Sequence, residues 1–346
     1  MATRKYDEDS IQRFAGLKGI RKKPTPYIGP TDSDGLWTIF REPADNAVDQ
    51  ALAGRNKLVH LIFDSEPNRY WIVDAGEGIP VGKKEFEDER GKKEKLSTFY
   101  VVTGLTHGGS NFDSDTISRG THGIGIKATN AMSKRFTVWT CWKGDWWCIE
   151  YRDAALHKEP YKSKPPKLPH GLKAKRGTVV MFEPDLSLFH KGTKMQLSSA
   201  KEWSKLTSYL VKGMTVKLTN SSGETREYVS EGPATFVHDK IAELKATQTG
   251  KTFLYSSKEL DVALAFADVE GSHVAAYTNG LRNVEGGEHV TACIDSLVRS
   301  LKPYLGKKDK FTPSDVKDGL LGLVNYKIAA PKFSSQTKEK LIDERV

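Results

Sequence analysis

Apolar residues at Phe40, Ala44, Val48, Ala51 and Leu52 recur at helical intervals, so Leu36 to Ala53 is predicted as an amphipathic helix. Glu42, Asn46 and Asp49 fall together on its other face. Pro43 is accommodated only if the helix begins or bends there. Upstream, Ile11 to Ile20 reads as a short helical segment broken by Pro24, Pro26 and Gly29. Leu58 to Phe63 and Tyr70 to Val73 read as strands. Residues 82 to 122 are glycine-rich and charged with little apolar periodicity, the pattern of a lid or a disordered stretch. A helix from Ile124 to Met132 follows, then a hairpin from Phe136 to Tyr151 turning at Lys143-Gly144-Asp145. Its four tryptophans, Trp139, Trp142, Trp146 and Trp147, are read as sheet packing. Gly177 to Phe182 is a further strand.

Near Glu231-Gly232-Pro233 the pattern resets. A helix from Phe236 to Leu244 precedes a strand with Val262, Leu264 and Phe266 on one face. A second strand, Val274 to Thr278, leads to a helix carrying Val290, Ile294, Leu297, Val298 and Leu301, and a strand from Leu320 to Ile328 closes the unit. This order predicts helices packed on a small sheet. A length of 346 residues suits two domains, here 1–232 and 233–346.

Composition narrows the class. The chain is 38% hydrophobic and 28% charged, with mean hydropathy −0.51, and no apolar run approaches the roughly 20 residues of a membrane span. The N-terminus lacks the apolar stretch of a secretory signal, so a cytoplasmic location is expected. Cys141, Cys148 and Cys293 have no metal-ligand spacing and are read as buried reduced thiols. The net charge of +9 favours an anionic partner. Basic clusters at residues 21–23, 83–95, 162–176 and 307–310 make nucleic acid the natural suspect, although each alone reads as a solvated loop.

Three motifs carry candidate chemistry. Glu42 and Asn46 are one helical turn apart, so a carboxylate able to activate water sits beside a neutral oxygen able to meet Mg²⁺. Taken alone, this is an ordinary acidic helix face. Asp74 ends a strand and is followed by Gly76, Gly78 and Ile79; its carboxylate can accept from an adenine amino group while the glycines admit the ring. Gly120, Thr121, His122, Gly123, Ile124 and Gly125 form a loop able to wrap phosphates at a helix start, with Lys127 adding charge. No P-loop segment is present, and the first glycine turn does not open a helix as a Rossmann site requires. The combination reads as an ATPase.

In this order the motifs resemble those of the GHKL ATPases, and within them the type IIA DNA topoisomerases of the gyrase B and topoisomerase IV E kind. Arg21-Lys22-Lys23-Pro24 through Tyr27-Ile28-Gly29 is similar to that family's opening segment, and Asp45 through Gly54 to its first helix. Tyr277-Thr278-Asn279 with Gly286-Gly287-Glu288-His289 resembles its second domain, and Pro331 through Lys338 its Gln-Thr-Lys loop. The resemblance implies an α+β chain: a GHKL (Bergerat) α/β sandwich with an N-terminal dimerisation arm over about 1–25 and an ATP lid over about 82–122. A transducer like the second domain of ribosomal protein S5 would follow. It also implies roles. Glu42 would be the general base, Asn46 the magnesium ligand and Asp74 the adenine anchor, with Thr178 assisting. Ser110, Asn111 and the residues from Gly120 to Lys127 would line the ATP site. Gln336 and Lys338 would reach the γ-phosphate from the second domain, and Tyr6 would cross into a neighbouring subunit's site. The implied cofactors are ATP and Mg²⁺, and the implied partners a second copy of the chain and double-stranded DNA.

Some positions depart from the bacterial pattern. Glu77 and Gln50 replace an arginine–glutamate pair beside the adenine, and Ser110-Asn111 is closer to eukaryotic or phage enzymes. No DNA-cleaving tyrosine domain or acidic cleavage domain is found, so cutting is expected to need a separate subunit or further domains. A nucleotide-gated clamp without useful hydrolysis and a MutL-like repair ATPase are the alternative readings. The Tyr-Ile-Gly opening fits MutL poorly.

Overall fold

The computed structural model describes residues 16–87, 91–106, 108, 117–119, 123–229, 232–304, 312–334 and 338–346. Helices α1 (Gly16–Lys22) and α2 (Thr25–Ile28) lead into the long helix α3 (Ser33–Leu52). Strands β1 (Leu58–Phe63), β2 (Tyr70–Asp74), β3 (Lys83–Glu87) and β4 (Lys93–Ser97) follow, then α4 (Thr98–Gly104) and α5 (Gly125–Ala131). Next come β5 (Ser133–Trp142), β6 (Asp145–Arg152), β7 (Ala155–Lys162), β8 (Gly177–Pro184), α6 (Leu197–Leu210), β9 (Thr215–Thr219) and β10 (Thr225–Tyr228). The second unit contains α7 (Pro233–Leu244), β11 (Gln248–Ser256), β12 (Leu260–Ala267), β13 (His273–Thr278) and β14 (Leu281–Arg282). It finishes with α8 (Glu288–Leu301), α9 (Pro313–Lys317) and β15 (Leu320–Tyr326).

The first sheet has the order β10-β9-β1-β2-β8-β5-β6-β7, mostly antiparallel with one parallel pair, β1 to β9. Period-two alternation sorts its side chains between two faces. Leu61 and Ile72 turn toward α3, where they join Leu36, Ile39, Phe40 and Val48 in the main core. Ile62, Trp71, Val73 and Met181 turn the other way, and the 163–176 loop covers them with Leu168 and Ala174. Trp139 stacks on Trp71 at 5.7 Å, so these indoles serve sheet packing.

Helix α3 starts at Ser33 and not at Pro43. Asp32 caps it by accepting from the Asp34 and Gly35 backbone N–H groups at 2.9 and 3.4 Å. Pro43 has no N–H for the Ile39 carbonyl one turn back. The buried Thr129 hydroxyl of α5 donates to that carbonyl at 2.8 Å and replaces the missing bond. This compensation lets a proline sit inside the helix that carries Glu42.

Part of the segment read as a lid or a disordered stretch is folded. β3 and β4 pair from Lys83↔Ser97 to Glu87↔Lys93, and α4 follows directly. Both strands are mostly exposed and charged, so cross-strand pairs such as Lys93 with Glu85 at 3.2 Å take the place of an apolar face. Apolar periodicity does not register such a hairpin.

The second sheet has the order β11-β12-β15-β13-β14. In β12, Val262 and Leu264 pack with α8, while Ala263, Ala265 and Ala267 pack with Phe236 and Val237 of α7. Phe266 is exposed, unlike the inward face drawn for it from alternation. Helices on both sides make most of this strand a buried run.

Candidate functional site

A cavity of about 1110 Å³ opens between α3, the ends of β2 and β8, the start of α5 and the second unit's residues around Gly280 and Lys338. Its apolar end holds Asp74, 8% exposed, at the last position of β2. One oxygen of that carboxylate accepts from the backbone N–H of Gly76 at 2.8 Å and of Thr178 at 3.1 Å. Burial outweighs these bonds and raises the pKa from 3.8 to about 6. The turn is sterically demanding. Gly177 has φ +86°, and a Cβ there would come within 2.3 Å of the Asp74 carbonyl oxygen. At Gly78 (φ +82°) a Cβ would meet the Cys141 carbonyl oxygen at 2.4 Å. The Ile79 N–H is held by the Thr140 hydroxyl at 2.6 Å, which fixes the turn to β5.

The opposite end is acidic and basic at once. Glu42, its side chain 22% exposed, lies against Gly125 so closely that a Cβ on that glycine would sit 1.7 Å from Oε2. Burial pushes the Glu42 carboxyl up, while the Lys338 ammonium and the Arg41 guanidinium hold it back. Burial likewise pushes the Lys338 ammonium down, with Glu42 the strongest opposing charge. Lys338 adopts a left-handed backbone (φ +60°) and donates to the Arg119 carbonyl at 2.6 Å. Its own carbonyl accepts from the Asn283 side-chain amide at 2.8 Å. Asn46 lines the same cavity one turn beyond Glu42.

Glu42, Asn46, Asp74, Gly78, Ile79, Gly123, Ile124, Gly125, Lys127, Thr178 and Lys338 thus border one cavity, and Gly76 adjoins it through Asp74. Lys127 is buried in α5 and donates to the carbonyls of Gly108 and Gly123, so it ties these two residues together. Burial lowers its pKa to about 7. Tyr6, Ser110, Asn111, Gly120, Thr121, His122 and Gln336 lie outside the described residues.

Sequence reasoning missed Arg119, which is 1% exposed and joins the two units. Its guanidinium donates to Asp45 at 2.8 Å, to the Asn279 carbonyl at 3.2 Å and to the Gly280 carbonyl at 3.1 Å, beside the Trp203 ring. Its backbone N–H donates to Asp49 at 2.6 Å. The Asn279 side-chain amide reaches the Ser118 carbonyl at 2.8 Å from the other side. No local motif marks an arginine for this, because its partners lie on α3 and in the second unit, far apart in the chain. Near the Asp74 end, Gln50 accepts from Arg55 at 2.9 Å and Arg176 donates to the Gly76 carbonyl at 3.1 Å. Two arginines therefore stand near the turn where Glu77 replaces the one expected from bacterial relatives.

A family model described as DNA gyrase B matches residues 224–346. The B polypeptide of DNA topoisomerase 4 from Mycoplasma capricolum is 31% identical, the match spanning 98% of this chain and 52% of that protein. DNA gyrase B from Thermotoga maritima is 29% identical over 99% of this chain and 54% of its own length. Among solved structures, the 43K ATPase domain of Thermus thermophilus gyrase B, in complex with an aminocoumarin, aligns with a TM-score of 0.71. It is 25% identical and covers 95% of this chain and 85% of that one.

Over residues 224–346 the chain matches the gyrase B family, and along nearly its whole length it is similar to the B polypeptides of type IIA topoisomerases. Its fold is that of the GHKL ATPase region joined to a transducer domain. The ATPase and transducer domains of DNA topoisomerase II from Balamuthia mandrillaris share it with a TM-score of 0.76 at 20% identity, covering 97% of this gyrase B relative and 90% of that chain. The chain spans about half the length of the curated relatives it matches. Among the described residues, no helix is long and apolar enough to cross a membrane.

Proposed function

We propose that this gyrase B relative binds ATP with Mg²⁺ in the cavity and hydrolyses it slowly. Nucleotide binding would bring two copies together around a DNA duplex. The observation that carries the reading is convergence. A carboxylate fixed by two backbone N–H groups, a half-buried glutamate and an ammonium from the second unit all border a single space. Asp74 offers an acceptor to an amino group, and its glycine turn leaves room for a flat ring. Glu42 has the raised basicity a water-activating base needs. Lys338 brings positive charge to the same end.

Asn46 offers one neutral oxygen beside Glu42, and among the described residues no group of three or more His, Cys, Asp or Glu could hold a metal ion. So sparse a donor set suits Mg²⁺ carried mainly by phosphates and water, where it would offset phosphate charge. Glu42→Ala should abolish phosphate release while nucleotide binding, followed by calorimetry, persists. Unchanged turnover would remove Glu42 from the chemistry. Wild-type chain that binds ATP without releasing phosphate, with or without duplex DNA, would favour the non-hydrolysing clamp. Light-scattering mass with a non-hydrolysable ATP analogue tests the dimer, and an unaltered monomer would refute nucleotide-driven closure.

A further inference from the structure

The sheet face turned away from α3 carries a second charged feature. The 163–176 loop contains Lys164, Lys167, Lys173, Lys175 and Arg176 and no acidic residue. Its polarity alternates. Pro166, Leu168 and Ala174 are buried, whereas the four lysines and Arg176 are exposed. Leu168 and Ala174 pack with Ile62, Trp71, Trp146 and Met181, so the loop is seated on a hydrophobic face. Three further ties hold it: Ser163 N–H to the Trp146 carbonyl at 2.8 Å, His170 Nε2 with the Phe63 carbonyl at 3.2 Å, and an isolated bridge between residues 167 and 173. Pro165, Pro166 and Pro169 restrict its backbone further.

That bridge sets Lys167 directly opposite Lys173. Like charges so placed repel, a cost an anion would relieve. Among the described residues, none of the five cations has a carboxylate within 4.0 Å. The nearby acids are already engaged: Asp145 with Lys162 at 2.8 Å, and Glu150 with Lys158 at 2.9 Å and the Tyr161 hydroxyl at 2.7 Å. A charge run on a mobile tail would lose backbone entropy on binding, but here the scaffold has already fixed the backbone that carries the lysines.

We propose that the four lysines of this loop form a phosphate-contacting surface for duplex DNA, separate from the nucleotide cavity and independent of the reading given to it. Phosphate contacts require presented cations and little else. A protein partner would call for an apolar centre to the patch, and the loop's apolar residues face inward.

The test measures fluorescence anisotropy of a labelled duplex of about 30 bp with the full chain, without nucleotide, across a salt series. The variant K164Q/K167Q/K173Q/K175Q should lower the log–log salt slope by about 3 to 4. Between about 50 and 200 mM salt, those four contacts account for about a 100-fold change in affinity. A variant with the same charge change elsewhere, K191Q/K194Q/K201Q/K258Q, should keep most of the slope. Equal losses in both variants would reduce the effect to net charge and overturn the proposal. So would an unchanged slope in the loop variant with its melting temperature intact. Polyglutamate competing as well as DNA at equal charge would reassign the face to acidic proteins and overturn it too.

Discussion

Asp74→Asn tests the cavity by separating stability from binding. In the folded chain the Asp74 carboxyl titrates near 6, against 3.8 for the free group, because burial disfavours its charge more than the Gly76 and Thr178 N–H groups support it. A rise of that size corresponds to about 3 kcal/mol. The sign follows from linkage: the folded state holds the proton more tightly than the unfolded one. The destabilisation is therefore absent below about pH 4, develops between pH 4 and 6, and is complete above. An asparagine keeps a carbonyl oxygen for the two N–H groups and carries no charge. The variant without nucleotide should match wild type at about pH 4 and gain about 2–3 kcal/mol at about pH 7.5, or about 4–8 °C in Tm. Nucleotide affinity at that higher pH should fall about 10- to 100-fold, since an amide N–H₂ then faces an amino donor. Scanning calorimetry across pH with and without an ATP analogue reads both effects. A Tm difference independent of pH would refute the burial argument, and undiminished affinity would refute the purine contact.

Gly125→Ala pushes a methyl into the Glu42 carboxylate while adding helix propensity, so turnover should fall about 100-fold with little loss of Tm. Unimpaired phosphate release would mean that the Glu42 position is not critical. Thr129→Val strands the Ile39 carbonyl and should cost about 1–3 kcal/mol in urea unfolding. Adding Pro43→Ala restores an N–H one turn away and should recover most of that; strict additivity of the two changes would disprove the compensation. Arg119→Met leaves Asp45 with Arg41 and Trp203 and should destabilise by about 3 kcal/mol. Wild-type stability in that variant would show that the link between the units lies elsewhere.

Much of the layout was legible because it is locally encoded. Helix α3 announces itself through apolar spacing, and the β5–β6 hairpin through its Lys143-Gly144-Asp145 turn. The motifs around Glu42 and Asp74 are short, and resemblance to a known family ordered them. What escaped is non-local or lacks apolar contrast. The β3–β4 hairpin is paired largely by charge, and β12 is covered from both sides, so neither shows simple alternation. The proline inside α3 is tolerated through a hydroxyl far along the chain, on Thr129, which periodicity cannot anticipate. Arg119 belongs to a network whose members lie up to 219 residues away.

The double engagement of Arg119 has a mechanical consequence. Its guanidinium clasps the second unit, while its carbonyl oxygen receives the Lys338 ammonium. An anion that drew Lys338 elsewhere would strip that oxygen of its donor, on the very residue whose N–H is anchored to Asp49. Filling the cavity would then be felt directly at Arg119, the residue whose guanidinium ties Asp45 to the carbonyls of Asn279 and Gly280.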